Sequence, residues 1–117
     1  MSDLEGKRIL VLDDEPLIVM LLEDILADLR CAVVGPVLDV AEAERLARTA
    51  EIDAAILDLN VHDRTSHSVA ELLKARGIPF VIASGYDGEG GLAGADGTLN
   101  KPFGPDRVKA ALLGLLG

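Results

Sequence analysis

Short, continuously apolar runs alternate five times with segments of helical period, and this alternation most constrains what the chain can fold into. The runs Arg8–Leu12, Ala32–Val37, Ala54–Leu57, Phe80–Ala83 and Gly97–Asn100 are each strand-length. Most lack the polar alternation of a sheet wetted on one face. Strands read this way when helices cover both faces of a parallel sheet, so the sequence predicts an α/β fold.

The intervening segments carry helix signals. Pro16 suits a first helical position, and Ile18, Leu22, Ile25 and Leu29 follow at spacings of four, three and four. Asp39 with Glu42, and Ser68 with Glu71, have the spacing of capping boxes. The first opens a stripe of Ala43, Leu46, Ala47 and Ala50. The second opens one of Val69, Leu72 and Leu73 that ends near Gly77. A last helix is predicted from about Pro105 to Leu116, with Val108, Ala111, Leu112 and Leu115 on one face. Between Gly85 and Gly97 the helical signal is weakest: Gly88, Gly90, Gly91 and Gly94 fall in its interior, each costing about 1 kcal/mol relative to Ala. A helix there is expected to be short or frayed, and a glycine-rich loop fits the residues as well.

Charged residues follow the strands at telling places. Asp13 and Asp14 follow the first, Asp58 the third, and Lys101-Pro102 the last. In an open parallel sheet the ligand crevice lies beyond the carboxyl ends of the strands, so these groups are expected to converge. Three carboxylates a few ångströms apart repel by several kcal/mol per pair at an effective dielectric near 20. A hard divalent cation removes that penalty, and Mg²⁺ suits oxygen donors and phosphate chemistry best. Asp14 also reads as a cap ahead of Pro16, and Glu15 as first-turn charge favouring the helix dipole. His62 and His67, with Asp63 and Arg64, read as exposed loop residues.

Leu-Asp-Asp-Glu, Ile-Leu-Asp-Leu-Asn, Ala-Ser-Gly-Tyr and Lys-Pro-Phe, in this order and at these distances, resemble the receiver domain of bacterial two-component response regulators. The resemblance spans essentially the whole chain and implies a doubly wound, CheY-like five-stranded parallel sheet of strand order 2-1-3-4-5. It implies Asp58 as phosphoacceptor, Ser84 and Lys101 as groups on the phosphoryl oxygens, and a cis peptide at Pro102. It also implies Mg²⁺ on Asp14, Asp58 and the backbone carbonyl of Asn60, with Asp13 acting largely through water. The implied partners are a sensor histidine kinase or histidine phosphotransfer protein and a downstream protein, and the chain is expected not to be a turnover enzyme.

Two departures refine the expectation. Thr98 stands where many receivers have an aromatic three residues before the lysine. The run Pro79–Tyr86 is similar to stand-alone receivers with a Phe-Ala-Thr-Gly-x-Tyr motif, with Ser for Thr and Tyr86 as the substitute aromatic. Switching is therefore expected to run through the Gly85–Gly97 segment. The loop from Val61 to Ser68 lacks the glycines and proline common in that group.

Two other classes share some of these features. A haloacid-dehalogenase-like phosphatase also uses an Asp nucleophile and Mg²⁺, but places Asp-x-Asp after the first strand, where this chain has adjacent acids. A receiver that is never phosphorylated would lack an acid or the lysine, and none is lost here.

Composition bounds the rest. The 117 residues predict one domain over 1–117 with no output module. Hydrophobic residues make up 50% but aromatics only 3%, so the core must be aliphatic. A net charge of −9 argues against nucleic acid as a direct partner. The single Cys31 can form no internal disulfide and is expected to pack as a small hydrophobe. With neither a membrane-spanning stretch nor an export signal, no membrane partner and a cytoplasmic location are expected.

Overall fold

A computed structural model of the chain describes residues 4–62, 64–84, 96–100 and 103–116. The order is β1 (Arg8–Leu12), α1 (Pro16–Asp28), β2 (Ala32–Val37), α2 (Val40–Thr49) and β3 (Ala54–Asp58). It continues through β4 (Asn60–Val61), β5 (Arg64–Thr65), α3 (His67–Ala75), β6 (Phe80–Ser84), β7 (Thr98–Asn100) and α4 (Pro105–Leu116). Five strands form one parallel sheet in the order β2-β1-β3-β6-β7. This is the predicted 2-1-3-4-5 order. The short antiparallel hairpin β4–β5 is a separate two-stranded sheet inserted after β3. The expected helix between Gly85 and Gly97 lies, except at Asp96 and Gly97, outside the described residues.

Successive strand residues point to opposite faces, and here both faces are apolar. Leu10, Leu12, Leu57, Phe80 and Ile82 pack with Ala43, Ala47, Val69 and Leu73 on one side. Ile9, Val11, Ile56 and Val81 pack with Leu22, Ile25, Leu26, Val108 and Leu112 on the other. This explains the unbroken apolar runs, and among the described residues the core is aliphatic apart from Phe80 and Phe103.

The predicted face of α1 packs on the core, and Val19 and Leu26 widen it. Val19, Leu22, Ile25 and Leu26 are buried, whereas Ile18 and Leu29 are half-buried and Leu17 and Met20 exposed. Residues 16–22 are apolar all round the helix, so periodicity does not select a face and packing does. At α2 the Asp39 cap forms, its Oδ1 accepting from the Glu42 N–H at 2.8 Å. Glu42 does not close the box, because its carboxylate is hydrogen-bonded to Arg45. That bond holds the Glu42 carboxyl below the usual range. At α3 the cap position is Ser66, not Ser68. The Ser68 hydroxyl instead donates to Glu44 Oε2 on α2 at 2.5 Å.

Helices α1 and α3 end alike. Gly77, at φ +73°, donates to Lys74 O at 3.0 Å and Ile78 donates to Leu73 O at 2.9 Å. This is a Schellman ending that favours glycine. In α1 the same place is held by Arg30, at φ +63°, with the matching bonds Arg30 N–H to Ala27 O and Cys31 N–H to Leu26 O. Replacing Arg30 by Gly is expected to stabilise the protein by about 0.5–1 kcal/mol, since relief of the left-handed backbone outweighs the added unfolded-state entropy. The exposed Arg30–Glu5 pair it removes is 3.5 Å apart and contributes little. An unchanged or lower melting temperature would contradict this.

Edge strand β2 carries a bulge. Leu10 pairs with Val34 but Leu12 with Val37, so Gly35 and Pro36 together stand opposite Val11. Gly35 has φ +98°, and a Cβ there would lie 2.8 Å from Val37 N, so only glycine fits. The Gly35-Pro36 peptide is cis. Beyond the bulge Val37 O accepts from the Asp13 N–H at 3.2 Å, extending backbone pairing to the first acid of the site.

Candidate functional site

The site lies at the carboxyl ends of β1 and β3, where the chain order switches direction across the sheet. Asp13 leaves β1 and is 1% exposed. Its Oδ1 accepts from the Glu15 N–H at 2.8 Å, which turns the chain before α1 and lets adjacent acids face one crevice. Asp58 ends β3, pairs with Ala83 of β6 in register and is 7% exposed. The carboxylates of Asp13, Asp14, Glu15 and Asp58 each present an oxygen within 4.8 Å of the others.

At such separations each charged pair repels by about 3–4 kcal/mol at an effective dielectric of 20. The donor set is entirely oxygen and two of its members are buried, so it fits a hard divalent cation. Asp13, Asp14 and Asp58 thus meet as expected. Glu15 joins them, although its sequence reads as helix-dipole charge. Glu15 also takes the N-cap position expected for Asp14, without a side-chain cap bond.

The segment after Asp58 is pinned from both sides. The Leu59 N–H donates to Ala83 O at 3.2 Å, and Leu59 O accepts from the Ser66 N–H at 3.0 Å. Asn60 opens β4, two residues past Asp58, paired with Thr65. Val61 is wholly buried and anchors the hairpin. At its tip the His62 N–H donates to Asp14 Oδ2 at 3.0 Å. His62 is exposed, as expected, but the sequence carries no sign of this bond. A left-handed residue at the tip of a tight hairpin (φ +49°) was the only possible cue, and it is a property of the fold.

Ser84 ends β6, its backbone paired with Asn100, one step beyond the Asp58–Ala83 pair. The Ser84 side chain, Lys101, Pro102, Tyr86 and Asp63 lie outside the described residues. Cys31 behaves as expected of a packed thiol: half-buried, it donates to Leu4 O, and burial pushes its pKa up. No helix among the described residues is long and apolar enough to cross a membrane.

The chain is similar over its whole length to SdrG from Sphingomonas melonis Fr1, at 44% identity, with a TM-score of 0.84 and 100% of both chains covered. The BeF3-activated conformation of SdrG from Pseudomonas melonis Fr1 matches at 42% identity and TM-score 0.76, over 97% of this chain and 98% of that one. The receiver domain of the sensor histidine kinase PA1611 from Pseudomonas aeruginosa PAO1 has magnesium coordinated in its active-site cleft. It matches at 25% identity and TM-score 0.86, over 96% of this chain and 98% of that one. No curated protein matches the chain. Residues 9–113 match the response regulator receiver domain, and the chain belongs to that family.

Proposed function

We propose that Asp58 accepts a phosphoryl group from the phosphohistidine of a sensor histidine kinase or a histidine phosphotransfer protein. The observation that carries this is the convergence of four carboxylates within 4.8 Å at the ends of β1 and β3. Asp13, Asp14, Asp58 and the Asn60 backbone carbonyl would hold Mg²⁺. Once bound, Mg²⁺ offsets the charge of the carboxylates and of the incoming phosphoryl oxygens.

In the reaction an Asp58 carboxylate oxygen forms the new bond to phosphorus as the P–N bond to the donor imidazole breaks. The electron pair of that bond stays on the imidazole nitrogen, which takes a proton. The β3 ladder and the Leu59 bonds hold Asp58 in place, so little reorganisation precedes attack. Lys101 and Ser84 complete the site by contacting phosphoryl oxygens, and water later hydrolyses the acyl phosphate. The chain then acts by presenting a changed surface to a downstream protein in the cytoplasm, and not by turning over a substrate. Support comes from the Mg²⁺-bound and BeF3-activated states described for two similar proteins.

Incubation with autophosphorylated sensor kinases of the source cell should move label onto this chain only when Mg²⁺ is present. Transfer from none of them, or steady hydrolysis of a simple phosphate ester instead, would overturn the reading.

A further inference from the structure

Glu44 stands in the middle of α2, outside the acidic cluster, with its side chain only 21% exposed. Its Oε2 accepts from the Ser68 hydroxyl at 2.5 Å and lies 3.9 Å from Arg64 Nη2. A carboxylate drawn this far out of water requires partners, and both partners belong to the segment that follows Asp58. We propose that Glu44 is a positioning residue for the magnesium site. From α2 it holds the β4–β5 hairpin so that the Asn60 carbonyl and the Asp14 carboxylate face one ion. The inference rests on the magnesium reading above.

The hairpin needs an outside hold. It has two residue pairs, Asn60–Thr65 and Val61–Arg64, and an isolated two-stranded hairpin is marginal in water even when longer. Buried Val61 fixes its inner strand, whereas both residues of β5 are exposed. Glu44 grips this outer side at two points. Through Ser68 it fixes the first turn of α3 and so the nearby Ser66, whose N–H donates to Leu59 O at 3.0 Å, next to Asn60. Through Arg64 it reaches the partner of Val61, which precedes His62, and the His62 N–H donates to Asp14 Oδ2 at 3.0 Å. One carboxylate on α2 is thereby linked to both ligand positions by short paths.

The two arms differ in strength. The Ser68 bond is short and charge-assisted, which makes it the stronger. The Arg64 side chain is 58% exposed, so that contact contributes little. The Ser68 arm therefore carries most of the effect.

Two readouts on the full chain test this: calorimetric titration with magnesium chloride, and hydrogen exchange of the His62 amide without metal. The variants are Glu44→Ala, Glu44→Gln, Ser68→Ala, the double variant of Glu44→Ala with Ser68→Ala, and Arg76→Ala. Arg76 is the control, because it also ties α3 to α2, donating to Ala47 O at 2.8 Å, but at the opposite end of α3 from the hairpin. Magnesium affinity is expected to fall about tenfold in Glu44→Ala and in Ser68→Ala, the low end of what losing an outer partner of a metal ligand costs. The double variant should lose no more than either single one, since the two side chains form one contact. Glu44→Gln keeps an acceptor for Ser68 and should stay within about twofold of wild type. The His62 amide should exchange about tenfold faster in Glu44→Ala, as a local opening. Arg76→Ala should lower the melting temperature and leave both readouts unchanged. Unchanged magnesium affinity in Glu44→Ala overturns the proposal, as does an equal loss in Arg76→Ala, which would make Glu44 a stability residue only. A wild type that binds no magnesium overturns the metal reading instead. The His62 exchange then decides the hold on the hairpin: faster in Glu44→Ala supports it, and unchanged overturns it.

Discussion

Asp58→Asn is expected to abolish labelling by acetyl phosphate and to prevent beryllium fluoride from binding. Asn keeps the shape of the side chain and its place at the end of β3, so the ladder with Ala83 should survive. What it loses is the anionic oxygen that attacks phosphorus, and no geometry substitutes for a nucleophile. Intact mass measurement should show a phosphorylated wild type that requires Mg²⁺, and a variant that stays unmodified under the same conditions. Asp13, Asp14 and Glu15 provide the internal control, since they remain beside position 58 within the same cluster. If one of them were the acceptor, Asp58→Asn would still be labelled, and the assignment would fail.

Magnesium alone should stabilise the fold, and Asp14 should be required for it. A ligand that binds only the native state contributes about 2.7 kcal/mol at a hundredfold excess over its dissociation constant. For a domain of this size that corresponds to a rise of about 10 °C in melting temperature. Asp14→Asn should act in two opposed ways. Without metal it should raise stability, because one member of a repelling cluster becomes neutral while its oxygen still accepts the His62 N–H. With millimolar Mg²⁺ it should lose most of the gain seen in wild type. Thermal melts of both proteins with EDTA and with Mg²⁺ give four temperatures, and the expected pattern is a crossing. A wild-type melt indifferent to Mg²⁺, or an Asp14→Asn protein that responds as fully as wild type, would rule out a cation on this cluster.

The parallel sheet was legible because its strands are buried on both faces. Ile9 and Leu10 point to opposite helical layers yet are both apolar, and a run of that kind has few other interpretations. Asp13, Asp14 and Asp58 were legible for a related reason: strand ends converge in this topology, so acids placed there must meet. Local chemistry also foresaw the Asp39 cap and the Gly77 ending of α3.

Other features depend on partners far away in the chain. The buried face of α1 is centred differently, with Val19 and Leu26 deeper than Ile18 and Leu29, because Leu17, Ile18, Val19 and Met20 are equally apolar and only packing against the sheet separates them. Ser68 has the spacing of a cap, but Glu44 on α2 claims its hydroxyl and the pinned Leu59–Ser66 turn sets the helix start. Glu15 enters the cluster because Asp13 accepts its N–H and turns the chain, a choice between hydrogen-bond partners that spacing does not record. His62 reaches Asp14 across 48 residues because it directly follows β4, which the pairing with β5 holds beside the site. Periodicity and strand ends therefore determined the sheet, its layers and the three aspartates, since those follow from burial along a single segment. The centring of the α1 face, the fourth carboxylate and the histidine at the mouth of the site were decided by tertiary structure, because each depends on which remote group supplies the hydrogen bond or the packing surface.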